Sequence, residues 1–182
     1  TGEMGIGNTT TSSAMAAVFL DTPVEMVTGR GAGLSTSGLT KKITAIHKAI
    51  QVNQPDKTDG IDVLAKIGGF DLAGMAGVFL GGAAEGIPVV IDGIISEAAA
   101  MAASVICPKC VHYMLASHLS KEPAAQMLLE RMGLEAMLDC DMHLGEGTGA
   151  ITLFPILDLA CAVYNSMSTF EEASIEQYEH LS

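Results

Sequence analysis

Three glycine-rich stretches, Gly2–Asn8, Gly29–Gly33 and Gly145–Gly149, each precede an apolar segment of helical length. A glycine turn that feeds a helix frees backbone N–H groups at the helix's positive end, so such a chain is built to hold loops over helix starts. Short β-branched runs lie between these units. Pro88-Val-Val-Ile-Asp92 is the clearest buried strand, Val24–Thr28 reads as a second, and Tyr113–Ser117 as a third or an extended segment. Helical periodicity or composition predicts helices over Thr9–Leu20, with Asn8 or Thr9 as N-cap, Leu39–Val52, Leu72–Gly81 and Glu97–Val105. Glu122–Met132 closed by Gly133, Ala150–Ser166 and a final Phe170–His180 complete the set. Strand, glycine loop and helix alternate. That order predicts an α/β fold with a three-layer, Rossmann-like parallel sheet, its ligand site at the C-terminal ends of the strands.

Composition narrows the function. Hydrophobic residues make up 49% of the 182, and there are 20 glycines besides. Counted together they exceed the usual 45–50%, so the excess needs a deep core, a large interface or a further piece of the same fold to cover it. The chain starts at Thr1, directly before a glycine motif and without an initiator Met, and reads as an excised piece. Acidic residues number 21 against nine basic, a net charge of −12, with no basic stripe among aromatics, which argues against nucleic-acid binding. The same sign repels an anionic substrate at long range, so a phosphate would rely on local donors. The longest uncharged stretch, Met4–Leu20, is broken by Asn8 and the Thr9–Ser13 cluster, and no uncharged apolar run reaches the ~20 residues of a membrane span. A cytoplasmic protein is the expectation.

The cysteines point to no metal. Cys107-Pro-Lys-Cys110 has ligand spacing with His112 nearby, but Cys140 and Cys161 stand alone where a zinc site wants a second pair. Reduced thiols at a helix end are the simpler reading.

Familiar phosphate motifs fail in turn. After Gly5-Ile-Gly7 and Gly29-Arg-Gly31, Thr10 and Leu34 stand where the dinucleotide fingerprint needs its third glycine. The window from Gly33 to Gly38 puts Leu39 at the P-loop lysine position. Val89-Val-Ile-Asp92 lacks the second acid and Thr-rich turn of the usual diphosphate motif. What remains is the loops themselves as anion sites and Glu146, set between Gly145 and Gly147 with no neighbouring side chain to shield it. Such a carboxylate can approach a ligand and act as a base.

Taken together, the motifs resemble the nicotinate-nucleotide–dimethylbenzimidazole phosphoribosyltransferase family. The resemblance rests on Gly-Glu-Met-Gly-Ile-Gly-Asn-Thr-Thr (2–10), Thr-Gly-Arg-Gly-Ala-Gly (28–33), Gly-Gly-Phe-Asp (68–71), Pro-Val-Val-Ile-Asp-Gly (88–93), Ala-Ser-His-Leu-Ser-Lys-Glu (116–122) and Leu-Gly-Glu-Gly-Thr-Gly (144–149). It covers essentially the whole chain and implies its C-terminal catalytic part. It implies a Rossmann-like large domain over 1–165, a segment of a small helical domain over 166–182, and a homodimer. It implies nicotinate mononucleotide and dimethylbenzimidazole as substrates, with no cofactor and no metal. Glu146 takes the place of the general base, and Glu3 is the acid of the first loop. Gly5, Gly31, Lys42 and Gly93 fall near the ribose phosphate, and Ser120 lies in the segment lining the base site.

Two departures stand beside the site: His143 where the family commonly has Arg, and Ala124-Ala125 where Gly-His is common. They bear on which aromatic base is preferred. Two other classes of function compete with the enzyme: a noncatalytic nucleotide-binding module, and a structural subunit completing a partner's sheet.

Overall fold

A computed structural model describes residues 1–176. The elements in order are α1 (Thr9–Leu20), α2 (Val24–Val27), α3 (Thr36–Asn53), α4 (Gly60–Ile67), α5 (Phe70–Glu85), β1 (Val89–Ile91) and α6 (Ile94–Ile106). A 3₁₀ turn (Pro108–Tyr113), β2 (Met114–Ala116), α7 (Ala125–Met132) and α8 (Thr148–Ser166) follow.

The core is organised around α6. Every residue from Ile94 to Ala103 is buried, and α1, α4, α5 and α7 all pack against this helix. Its run of alanines keeps the surface low enough for four neighbours to approach. Gly60, the first residue of α4, shows how close they come: a side chain there would strike the backbone carbonyl of Ala102. Phe79, Met15, Ile46, Leu72 and Leu128 are fully buried around this centre.

α6 is also the crossover between two parallel strands. Val89, Val90 and Ile91 pair with Met114, Leu115 and Ala116, and a parallel connection needs such a helix on the sheet's face. The fold is therefore α/β, with a two-stranded parallel sheet among the described residues. Just past β2, His118 pairs with Leu138 in a separate parallel bridge.

Several sequence expectations are met closely. α1 spans Thr9–Leu20 as expected, and Gly133 ends α7 in the left-handed conformation at φ 71°. α3 starts earlier than its apolar periodicity, because the Ser35 side chain accepts from the Gly38 N–H and caps it.

Others are corrected. Val24–Thr28 is no strand: Val24–Val27 forms a helical turn, led by Pro23, whose fixed φ suits a helix start, with the acid Glu25 in the first turn. α4, with no counterpart in the sequence reading, is capped by Asp59, whose Oδ1 accepts from Ile61 N and Asp62 N at 2.9 and 3.1 Å. The final helix does not form over 170–176. Thr169 and Glu172 exchange reciprocal side-chain-to-backbone hydrogen bonds, a helix-start signal, but Ser174 turns left-handed at φ 53° and the segment, Phe170 and Ile175 included, stays exposed. The remainder of that expected helix lies outside the described residues.

α8 lies over the sheet through Ala150 and Leu153, which pack with Val90. Beyond Leu153 only Leu157 still packs on this cluster, and other apolar side chains face outward, Leu159 at 66% and Tyr164 at 86% exposure. By length and mean hydropathy it is the one helix among the described residues that matches a bilayer span, with Asp158 inside it.

Candidate active site

A cleft of about 130 Å³, partly open to solvent, lies where β1 and β2 end. Three loops converge on it: the first glycine loop, the Gly29–Gly33 loop, and the segment leading into α8. Of the residues singled out from sequence, Glu3, Gly5, Gly31, Gly93 and Ser120 line it. Asp92 and His118, at the strand ends, share the wall with Thr9, Glu122 and His143.

Lys42 stands one layer behind. It is only 6% exposed, and its ammonium donates to Thr9 Oγ1 at 3.1 Å and to the Gly29 carbonyl at 3.0 Å. Thr9 thus separates it from the cleft. Burial lowers the Lys42 pKa, and the charge of Glu122 opposes that shift. Gly31 seats the second loop on the same threonine, since a Cβ there would come within 2.9 Å of Thr9 Oγ1, and its φ of 53° already favours glycine.

Glu146 is exposed and stands next to Gly145, which lines the cleft. The backbone is left-handed at three residues in succession, Gly145, Glu146 and Gly147, with φ of 81°, 59° and 79°. For Glu146 that conformation costs roughly 1–2 kcal/mol. Strain of this kind persists where the surroundings over-determine it. Two contacts do so here: Glu146 N donates to the Glu3 carbonyl at 2.9 Å, and Asp92 holds the loop from below.

Asp92 corrects one expectation and supplies a residue the sequence reading missed. The N–H groups at the start of α8 are not free to bind an anion. The Asp92 carboxylate, 2% exposed, takes them: Oδ1 accepts from Gly149 N and Ala150 N at 2.9 and 3.1 Å, Oδ2 from Gly147 N at 3.1 Å. An internal anion satisfies the helix dipole. The available signal was an acid directly after the clearest buried strand.

His118 packs against the same turn, so that a side chain at Gly149 would overlap its ring. Burial pushes the His118 pKa down, with the Asp92 charge opposing. Its Nδ1 lies 3.1 Å from Ser117 Oγ. Beneath the cleft, Glu97 is fully buried and neither carboxyl oxygen has a hydrogen-bond partner among the described residues. Burial, reinforced by the charges of Asp92 and Glu122, pushes its pKa well above the usual carboxyl range.

The cysteines stay apart from this chemistry. Cys110 is buried, its thiol pushed up to about 11 by burial with Cys107 adding, and among the described residues no three metal-ligating side chains converge.

Glycine loops and acids gathered at the ends of parallel strands form the kind of crevice in which α/β folds bind ligands, and comparison with known proteins specifies the family. A sequence model described as phosphoribosyltransferase matches residues 1–175. The chain is 52% identical over 179 residues to the nicotinate-nucleotide–dimethylbenzimidazole phosphoribosyltransferase of Acetivibrio thermocellus, covering 98% of this chain and 51% of that protein. It is likewise 52% identical to the protein of that name from Desulforamulus reducens, covering 97% of this chain and 50% of that protein. The crystal structure of CobT from Thermus thermophilus superposes with a TM-score of 0.89 at 40% identity, covering 97% of this chain and 53% of that one. The chain belongs to the nicotinate-nucleotide–dimethylbenzimidazole phosphoribosyltransferase family. It spans about half the length of the relatives it matches, as their C-terminal part.

Proposed function

We propose that this chain forms the catalytic part of an enzyme that transfers phosphoribose from nicotinate mononucleotide to dimethylbenzimidazole. The observation that carries this reading is the convergence of Glu3, Gly31, Gly93 and Ser120 on one cleft with Glu146 at its edge. Family membership supports the same reading.

In this reaction a benzimidazole ring nitrogen attacks C1′ of the ribose. The C1′–N bond to nicotinate breaks, and its electron pair returns to the pyridinium nitrogen, which leaves neutral. The attacking base must shed the proton on its other nitrogen, and Glu146 is placed to accept it. Attack opposite the leaving group inverts β to α. Glu3 supplies a second carboxylate facing the cleft and is the next candidate for the base. Gly5, Gly31 and Gly93 present backbone close to the ribose phosphate, and Lys42, from behind Thr9, contributes positive charge to an otherwise acidic surface. Ser120 borders the base subsite. Holding both rings in line is the remaining task, an entropic one that rigid loops address.

Within the whole protein, β1 and β2 belong to a larger three-layer Rossmann-like sheet in the domain over 1–165, and 166–182 to a small helical domain. The assembly is a cytoplasmic homodimer. The test is to incubate the protein as encoded with both substrates and follow α-ribazole phosphate and nicotinate by chromatography. Equal amounts of the two products support transfer. Binding of nicotinate mononucleotide without either product points instead to a nucleotide-binding module.

A further inference from the structure

The Gly68–Asp71 motif contributes nothing to the cleft lining, yet it reaches the cleft through one side chain. Asn8 Nδ2 donates one N–H to Glu3 Oε2 and the other to Asp71 Oδ2, both at 2.7 Å. These lengths are at the short end for bonds to a charged acceptor. Turning the amide over would set its oxygen against two carboxylates, so charge alone fixes the orientation. The consequence is that Asn8 Oδ1 is buried without a partner among the described residues.

This arrangement is not what local stability asks for. Asn8 occupies the N-cap position of α1, where an asparagine side chain normally accepts a helix N–H, but it makes no such bond. The side chain has been diverted to the acids. Glu3 Oε2 also accepts from Gly5 N at 2.8 Å, so two donors hold that oxygen while the residue lines the cleft. On the far side, Asp71 is exposed and in the first turn of α5, and Gly69 is bare beside it, since a side chain there would run into the Asp71 carboxylate. The motif is shaped around that carboxylate.

We propose that Asn8 and Asp71 are positioning residues that hold the Glu3 carboxylate in its place in the cleft; this rests on the reading that Glu3 serves the transfer reaction. A link that merely pins α1 to α5 would affect stability alike whatever stands at position 3. A positioning link acts only through Glu3.

The experiment is a double-mutant cycle in the protein as encoded. Asp71→Ala should lower kcat about tenfold, the worth of one hydrogen bond to a charged group, with KM for either substrate changed less than twofold. Asp71→Asn, which keeps an acceptor oxygen, should restore most of the loss. In a Glu3→Gln background Asp71→Ala should cost nothing more. Undiminished kcat in Asp71→Ala, or the same fold-loss in both backgrounds, overturns the proposal. A readout independent of turnover is hydrogen exchange at Gly5 N–H, which should quicken about tenfold in Asp71→Ala. Unchanged exchange overturns the positioning role even if the protein transfers nothing, whereas absent product in the unmutated protein with faster exchange in the variant overturns only the reaction.

Discussion

Asp92 Oδ1 accepts the Gly149 N–H at 2.9 Å, joining the end of β1 to the first turn of α8. Through that bond and its two companions, a buried acid sets the loop that presents Glu146. Replacing Asp92 with Ala leaves three N–H groups without their acceptor, and since one hydrogen bond to a charged group is worth about 1.5–3 kcal/mol, the loss should be at least that. Urea denaturation of Asp92→Ala should show that loss as a lower midpoint. An unchanged midpoint would mean the loop is held by other contacts.

Glu97 gives the protein a pH dependence of definite sign. Its folded pKa lies well above the ordinary 4.5. As pH rises past 4.5 the unfolded chain releases this proton while the folded chain keeps it, so the contribution to stability is full below that value and is lost progressively up to the folded pKa. The slope approaches about 1.4 kcal/mol per pH unit within the window. Glu97→Gln cannot titrate. The variant should gain stability relative to the parent at pH 8 compared with pH 5. Parallel denaturation curves at both pH values would refute the assignment.

Lys42 is expected to act on the phosphate and not on the ring. Lys42→Met keeps the stem's packing and removes the charge that now rests on Thr9 and Gly29. Calorimetry should show affinity for nicotinate mononucleotide falling more than affinity for nicotinate, because a charge held behind Thr9 acts on the phosphate through the field and not through a direct contact. Equal losses for both ligands would take Lys42 out of the phosphate site.

Glu146→Gln keeps shape and hydrogen-bonding capacity but cannot accept a proton. Turnover should fall by roughly 10²–10⁴, with nicotinate mononucleotide affinity nearly unchanged, because the proton belongs to the other substrate. A variant retaining more than about a tenth of normal turnover would shift the base assignment to Glu3.

The isolated chain should self-associate at micromolar concentration. Ile151, Phe154, Leu159 and Val163 on α8, and Phe70 at 100% exposure beside the groove between α4 and α5, leave large apolar areas uncovered. Such patches are rare on monomers. Sedimentation velocity giving a single well-folded monomer would contradict this.

Local physics explains which parts were legible in the sequence by itself. α1, α6, α7 and β1 could be read because their signals are short-range: apolar or alanine-rich runs, a glycine at the left-handed C-terminal position, a β-branched run between Pro88 and Asp92. Glu3, Gly5 and Gly31 stood out because they sit in glycine loops that precede helices, whereas Gly93 and Ser120 were reached only through the family resemblance. Val24–Val27 and 170–176 misled because a β-branched run or a helix-start signal needs a partner surface, which sequence does not display. The tertiary structure alone decided what the motifs do to one another. Only the approach of β1 to α8 turns Asp92 into the acceptor for the third glycine loop, and only the meeting of α1 and α5 sets Asn8 between Glu3 and Asp71. Asn8 and Asp71, 63 positions apart, are joined there by a single 2.7 Å hydrogen bond, and such a pairing depends on the packing of whole helices around α6, not on any local pattern.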